Sequence, residues 1–151
     1  ATKDALFLAA MKTPPIPACI DRLSSIAGVG DLRTNLFQTA LQFVEFLRQT
    51  IPQFMATQSG KPSHREPPLI DGEPPPSRDR RLIASYLRAE LERGRLRPCN
   101  PDVVAYTFFG CLMSYVMDSF LLKQSPSKEE TVAFVESLIS TLWEGVSPLE
   151  P

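Results

Sequence analysis

The chain has 151 residues, is 43% hydrophobic and 22% charged, and carries a formal net charge of −1. That composition fits a single soluble domain with room for a core, and a sequence pI near 5.9 makes the chain by itself a poor nucleic-acid binder. The three cysteines, Cys19, Cys99 and Cys111, show no CxxC spacing, which points to reduced, mostly buried thiols in a reducing compartment. With His64 as the single histidine, no metal site is expected.

The opening stretch, ATKDALFLAAMK, lacks the basic region of a secretory signal. It carries a helical pattern (Leu6, Phe7, Ala10, Met11), so the chain is expected to begin inside an element whose earlier part is missing. Residues 13–30 read as a loop with short helical potential after Pro14, Pro15 and Pro17. Asp31 can cap a long amphipathic helix in which Leu36, Phe37, Ala40, Leu41, Val44 and Leu47 recur at spacings of three and four. Pro52 is expected to break that helix, because it brings no amide and clashes with the preceding turn. A new short helix, QFMATQS, would follow. Residues 60–76 are rich in proline and contain His64, read as a surface histidine; the segment is either a poorly ordered connector or a lid over a pocket.

Three helices with legible ends complete the chain. Ser77 can cap the first, which begins at Arg78 and stops at Gly94. Its opening arginines, Arg78, Arg80 and Arg81, suit either an anion or a solvated face. Asn100-Pro101-Asp102 opens the second, which is apolar nearly all the way round. Ser127 and Glu130 form a capping box for the third, which stops at Gly145. No sustained alternation marks a strand, and no Asp-Gly hairpin sits between alternating residues, so an all-α fold is expected.

The second helix decides the architecture. A helix without a polar face cannot lie on the surface of a small monomeric bundle, so it must be covered on both sides, by its own domain and by a second copy of the chain. Val103–Leu122 is long enough for a bilayer, but it carries Asp118, lacks aromatic and basic flanks and sits between amphipathic helices, so no membrane is expected. Thr107, Gly110, Cys111, Ser114 and Asp118 form a narrow stripe of small or polar residues along it, flanked by Phe108, Phe109, Leu112, Tyr115, Val116 and Phe120. The last helix offers Val132, Val135, Leu138, Ile139, Leu142 and Trp143. The expected dimer interface is therefore Thr107, Gly110, Leu112, Ser114, Val116, Phe120, Val135, Leu138, Ile139, Leu142 and Trp143, of standard size, about 1,500 Å² or more.

A ligand cavity in such a bundle would be apolar with a few orienting polar groups. The candidates are Phe43, Phe46, Leu47, Met55, Tyr86, Phe108, Cys111, Met113, Tyr115 and Asp118; the aromatics and methionines suit a hydrophobic or planar ligand, or simply fill the core. Asp118 is either solvated or paired at the helix edge, or it meets a ligand or the second copy. Enzymatic chemistry is not expected: one loop histidine cannot complete a catalytic arrangement, and the seven glycines form no phosphate loop. No cofactor is expected either.

KDALFLAAMK, then GDLRTNLFQTALQFVEFLRQTIPQFMATQ with its proline, then RLIASYLRAELERGRLRPCNPDVVAYTFFGCLMSY resemble, in this order, the tetracycline-repressor-type (TetR) transcription regulators. The resemblance covers nearly the whole chain, and its sharpest element is the Arg-Gly-x-Leu-Arg-Pro turn before Asn-Pro-Asp. It implies that residues 1–12 end a DNA-binding domain whose helix-turn-helix is absent here. Residues 13–151 would be an effector-binding domain, a helical bundle dimerising through its last two helices. It further implies a cytoplasmic homodimer, a repressor as a rule, that answers a small effector and meets operator DNA through the absent N-terminal part. A helical dimerisation or adaptor module with no small ligand stays open as the alternative.

Overall fold

The computed structural model describes Thr2, residues 14–58 and residues 68–146. Among these the fold is all-α, with six helices: α1 (Ala18–Asp21), α2 (Leu23–Ile26), α3 (Leu32–Gln58), α4 (Pro75–Glu92), α5 (Pro101–Leu121) and α6 (Lys128–Val146). The expectations for residues 1–12, His64 and most of the proline-rich segment fall outside the described residues.

The caps act as their spacing requires. The Asp31 carboxylate accepts from the Thr34 amide and hydroxyl, both at 2.7 Å, and these bonds hold its pKa below the usual value. Asn100 Oδ1 accepts from the amides of Asp102 and Val103 at 3.0 and 3.4 Å. The Ser127 amide donates to Glu130 at 2.6 Å and the Glu130 amide returns to Ser127 Oγ at 3.1 Å, closing the capping box.

Two expectations are corrected. Pro52 does not end α3, which runs through it for 27 residues. Its ring lies on the exposed side, where the Arg48 carbonyl one turn back can turn to water. Meanwhile buried Ile51 fastens the helix and Thr50 donates to the Phe46 carbonyl at 2.9 Å. Ser77 is not the cap of α4: Pro74 is, and Pro75 and Pro76 fill the first helical positions, where an amide would have no partner. No strand forms among the described residues, and the Asp-Gly pair at 71–72 makes an isolated tight turn with a single bridge. Both residues adopt positive φ (52° and 83°), and the Ile70 and Glu73 amides and carbonyls bond across it at 2.9 and 3.1 Å.

Side-chain contacts set the helix directions. Arg33 donates to Ser140 and Arg48 to Thr131, each at 2.6 Å, so α3 and α6 run antiparallel. Arg80 stacks over Tyr106 while Arg88 meets Asp102 at 3.4 Å, so α4 and α5 are antiparallel too. Helix α5 packs on α3, α4 and α6 through Ala105, Phe108, Phe109, Leu112 and Val116. It is also, among the described residues, the helix long and apolar enough to cross a membrane by length and composition.

Two ionic ties fix the short helices to α4. The fully buried Glu90 accepts from the Gly28 amide, and its other oxygen lies 3.0 Å from Arg95 Nε. Gly28 has φ +78°, and a Cβ there would meet Arg93 Nε at 2.7 Å, so only glycine suits this junction. The second tie is Arg78, buried at 8% exposure, which bonds Asp21 of α1 at 2.7 Å and lies near Asp79 at 3.5 Å and Asp71 at 3.6 Å. Burial pushes the Asp79 carboxyl up to about 6 despite Arg78 beside it. Burial likewise pushes the Cys19 thiol up to about 11, which makes it inert.

Glu90→Ala should cost about 2 kcal/mol, read as a fall in the urea midpoint. The lost side chain leaves a buried gap, and the Gly28 amide and Arg95 lose a charged acceptor, although both can turn to water. Asp79 gives a pH signature. Its folded pKa lies above its unfolded one, so between pH 7 and 5 the folded state takes up the proton first and stability should rise as pH falls, by about 1 kcal/mol. Asp79→Asn should flatten that slope in urea titrations at the two pH values.

Candidate functional site

Of the candidate ligand residues, Phe43, Leu47, Tyr86 and Phe108 are packed inside the core, with Asn35 bonded to the Tyr86 hydroxyl at 3.3 Å. Phe46, Met55, Cys111, Met113 and Tyr115 are half-buried, and Asp118 is exposed with no ion pair among the described residues. Asp118 thus meets solvent at the edge of the single chain, where a second copy would also reach it.

The structure joins some of these residues and separates others. Phe46 stacks on Phe43 at 6.0 Å, and Phe43 meets Phe109 of α5 at 5.4 Å. The row continues to the Arg80 guanidinium of α4, 5.3 Å from the Phe109 ring and 4.6 Å from the Tyr106 ring. Tyr115 lies apart from it, stacked on Phe134 of α6 at 4.0 Å, with its hydroxyl 3.5 Å from Thr131 Oγ1. Reading the sequence placed Arg80 at a helix start and left Tyr106 and Phe109 out of the site. Tyr106 and Phe109 stand three apart, on neighbouring turns of one helix face, which is the signal that was available. Nothing local links them to Phe43 or Arg80.

Two open grooves lie elsewhere. One of about 330 Å³ runs between α3 and α6, lined by Arg33, Thr34, Phe37, Glu136, Ile139 and Ser140. The other, of about 530 Å³, lies at the α5–α6 turn among Tyr115, Gln124, Ser125, Pro126 and Glu130. Tyr115 is the only one of the candidate ligand residues that lines either. Among the described residues no His, Cys, Asp or Glu group has the geometry to hold a metal.

The expected interface residues divide by burial. Leu112, Val116, Val135, Leu138, Ile139 and Leu142 face the chain's own core, where α3 covers them, so they are not the free surface they were expected to be. Thr107, Ser114 and Phe120 are exposed, and Gly110 and Trp143 are half-buried. With them on the outer side of α5 stand Val103 at 58% and Leu121 at 59% exposure, and on α6 Ala133, Ser137 and Thr141. These α6 residues were missed, although their spacing of four marks one helix face. An apolar helix thus keeps a broad side uncovered.

Residues 73–144 match the family model for the C-terminal domain of AefR-like transcriptional repressors, a TetR C-terminal family. Comparison with curated proteins and with solved structures gave no match. The matched stretch takes in α4, α5 and nearly all of α6. The part of the chain from residue 73 to 144 is a TetR-family C-terminal domain.

Proposed function

We propose that this chain is the sensor and dimerisation domain of a TetR-type one-component regulator, a cytoplasmic repressor released by a small, largely hydrophobic effector. The observation that carries the reading is α5: one side fills the core while the other leaves Val103, Thr107, Ser114 and Leu121 in solvent. The family match supports it, because TetR regulators commonly dimerise and bind small effectors. The small residues on that side let a second helix come close. In a two-fold arrangement α5 and α6 of two copies would form a four-helix bundle.

The effector would enter between α3 and α5, near the row from Phe46 to Arg80, and repack α5 against α4. Arg78 would pass the movement to α1 through Asp21. Residues 1–12 would carry it on to a helix-turn-helix outside this chain that holds the operator DNA. Such a switch needs an effector whose affinity differs between the two states. Regulation of this kind uses no enzymatic step and no cofactor. One observation favours the second reading, a dimerisation or adaptor module without a ligand: Phe43, Leu47, Tyr86 and Phe108 already fill the space between the helices.

Light scattering over a dilution series should give a mass of about twice the 16.8 kDa of the chain. Ser114→Arg, on the exposed stripe, should convert it to a monomer with unchanged helicity by circular dichroism. A soluble monomeric wild type would sink the dimer reading, and with it the account of the uncovered side of α5.

A further inference from the structure

Three arginines open α4, and their surroundings differ. Arg78 has three carboxylates around it, from Asp21, Asp71 and Asp79. Arg81 is paired with Glu73. Arg80 has no carboxylate within 4 Å among the described residues; its polar contact is the Ser77 hydroxyl at 3.3 Å. It is half-buried beside the rings of Tyr106 and Phe109, and the Asp79 carboxylate feels its charge. A guanidinium beside aromatic rings keeps N–H donors beyond the one given to Ser77, and these can meet a planar acceptor. Arg80 is thus the one of the three with no carboxylate in ion-pair range among the described residues, in a cluster where the three arginines face Asp21, Asp71, Glu73 and Asp79.

We infer that Arg80 is the anchor of an effector site that takes a small organic monoanion, a carboxylate with an aromatic or alkyl body. The inference rests on the effector reading above and specifies its chemistry. A carboxylate matches the guanidinium edge with two parallel hydrogen bonds. A phosphate dianion would bring two charges close to Asp71, Glu73 and Asp79, which favours the single charge of a carboxylate. The apolar body has one ring to lie on, Tyr106 at 61% exposure; Phe109 behind it is buried and is reached only if α5 shifts. The first helical turns of α4 add their amide dipoles to the same positive potential. The nearest buried acid in sequence, Asp79, is engaged with Arg78.

The test is calorimetric titration of the whole chain with benzoate and octanoate, each beside its neutral amide, and with inorganic phosphate. The carboxylates should bind at least about tenfold more tightly than the amides, the ratio expected for a charge-assisted pair. Phosphate should not bind. Arg80→Gln should remove that preference, and Arg80→Lys, which keeps the charge and loses the fork, should restore only part of it; circular dichroism of both variants checks folding. Equal binding of acid and amide, tighter binding of phosphate, or wild-type carboxylate affinity in folded Arg80→Gln would overturn the inference and leave the effector reading standing. If none of the acids or amides binds, the inference and the effector reading both fall, and the module without a ligand is left.

Discussion

The constraint on which the other helices depend is the two-sided apolar character of α5. A helix normally divides its surface between core and water; this one has 21 residues and almost no polar side to give to water. The chain answers with three neighbours. Helix α3 supplies Phe43, α4 the Arg80 stack and α6 the Phe134 ring that lies on Tyr115. All three sit on one half of its circumference, and a chain of this length has no further long helix among the described residues to place on the other. The proposed dimer would cover that half, so its first effect would be on the fold and only its second on regulation.

Much of the fold was legible because helix ends are local. A side-chain oxygen must reach an amide two or three residues on, so Asp31, Asn100 and the Ser127–Glu130 pair announce themselves by identity and spacing. Proline was read less well. At Pro52 local preference argued for a break, but the cost of one lost bond is set against burial on the far side of the helix, and Ile51 and Leu47 lie there. At α4 the prolines were read as loop, whereas a proline in the first turn gives up nothing. Helix existence followed from periodicity; these two boundaries depended on which side faced water.

The candidate site was legible only in part, for a different reason. Periodicity says which residues of a helix face inward, and it selected Phe43, Leu47 and Phe108 correctly as buried. It does not say which inward residues of separate helices meet. The row of Phe46, Phe43, Phe109 and Arg80 draws on three helices separated by long stretches of chain. The last helix shows the same limit. Val135, Leu138 and Ile139 are strongly apolar and were assigned to a partner, yet α3 of the same chain claims them, and the small residues Ala133, Ser137 and Thr141 are left outside. Hydrophobicity marks burial without naming what does the burying.

Arg78 joins pieces of chain that lie far apart in sequence. It holds Asp21 on α1 and reaches Asp71 on the tight turn before α4, with Asp79 behind it. A shared anchor couples these pieces, since releasing the guanidinium loosens both, while Arg81 still holds Glu73 on the turn. In hydrogen-exchange terms, weakening Arg78 should lower the protection of α1 and of the turn together. The tie is ionic and its acidic members at positions 21 and 71 are exposed, so added salt weakens that coupling more than it weakens the apolar contacts of α5.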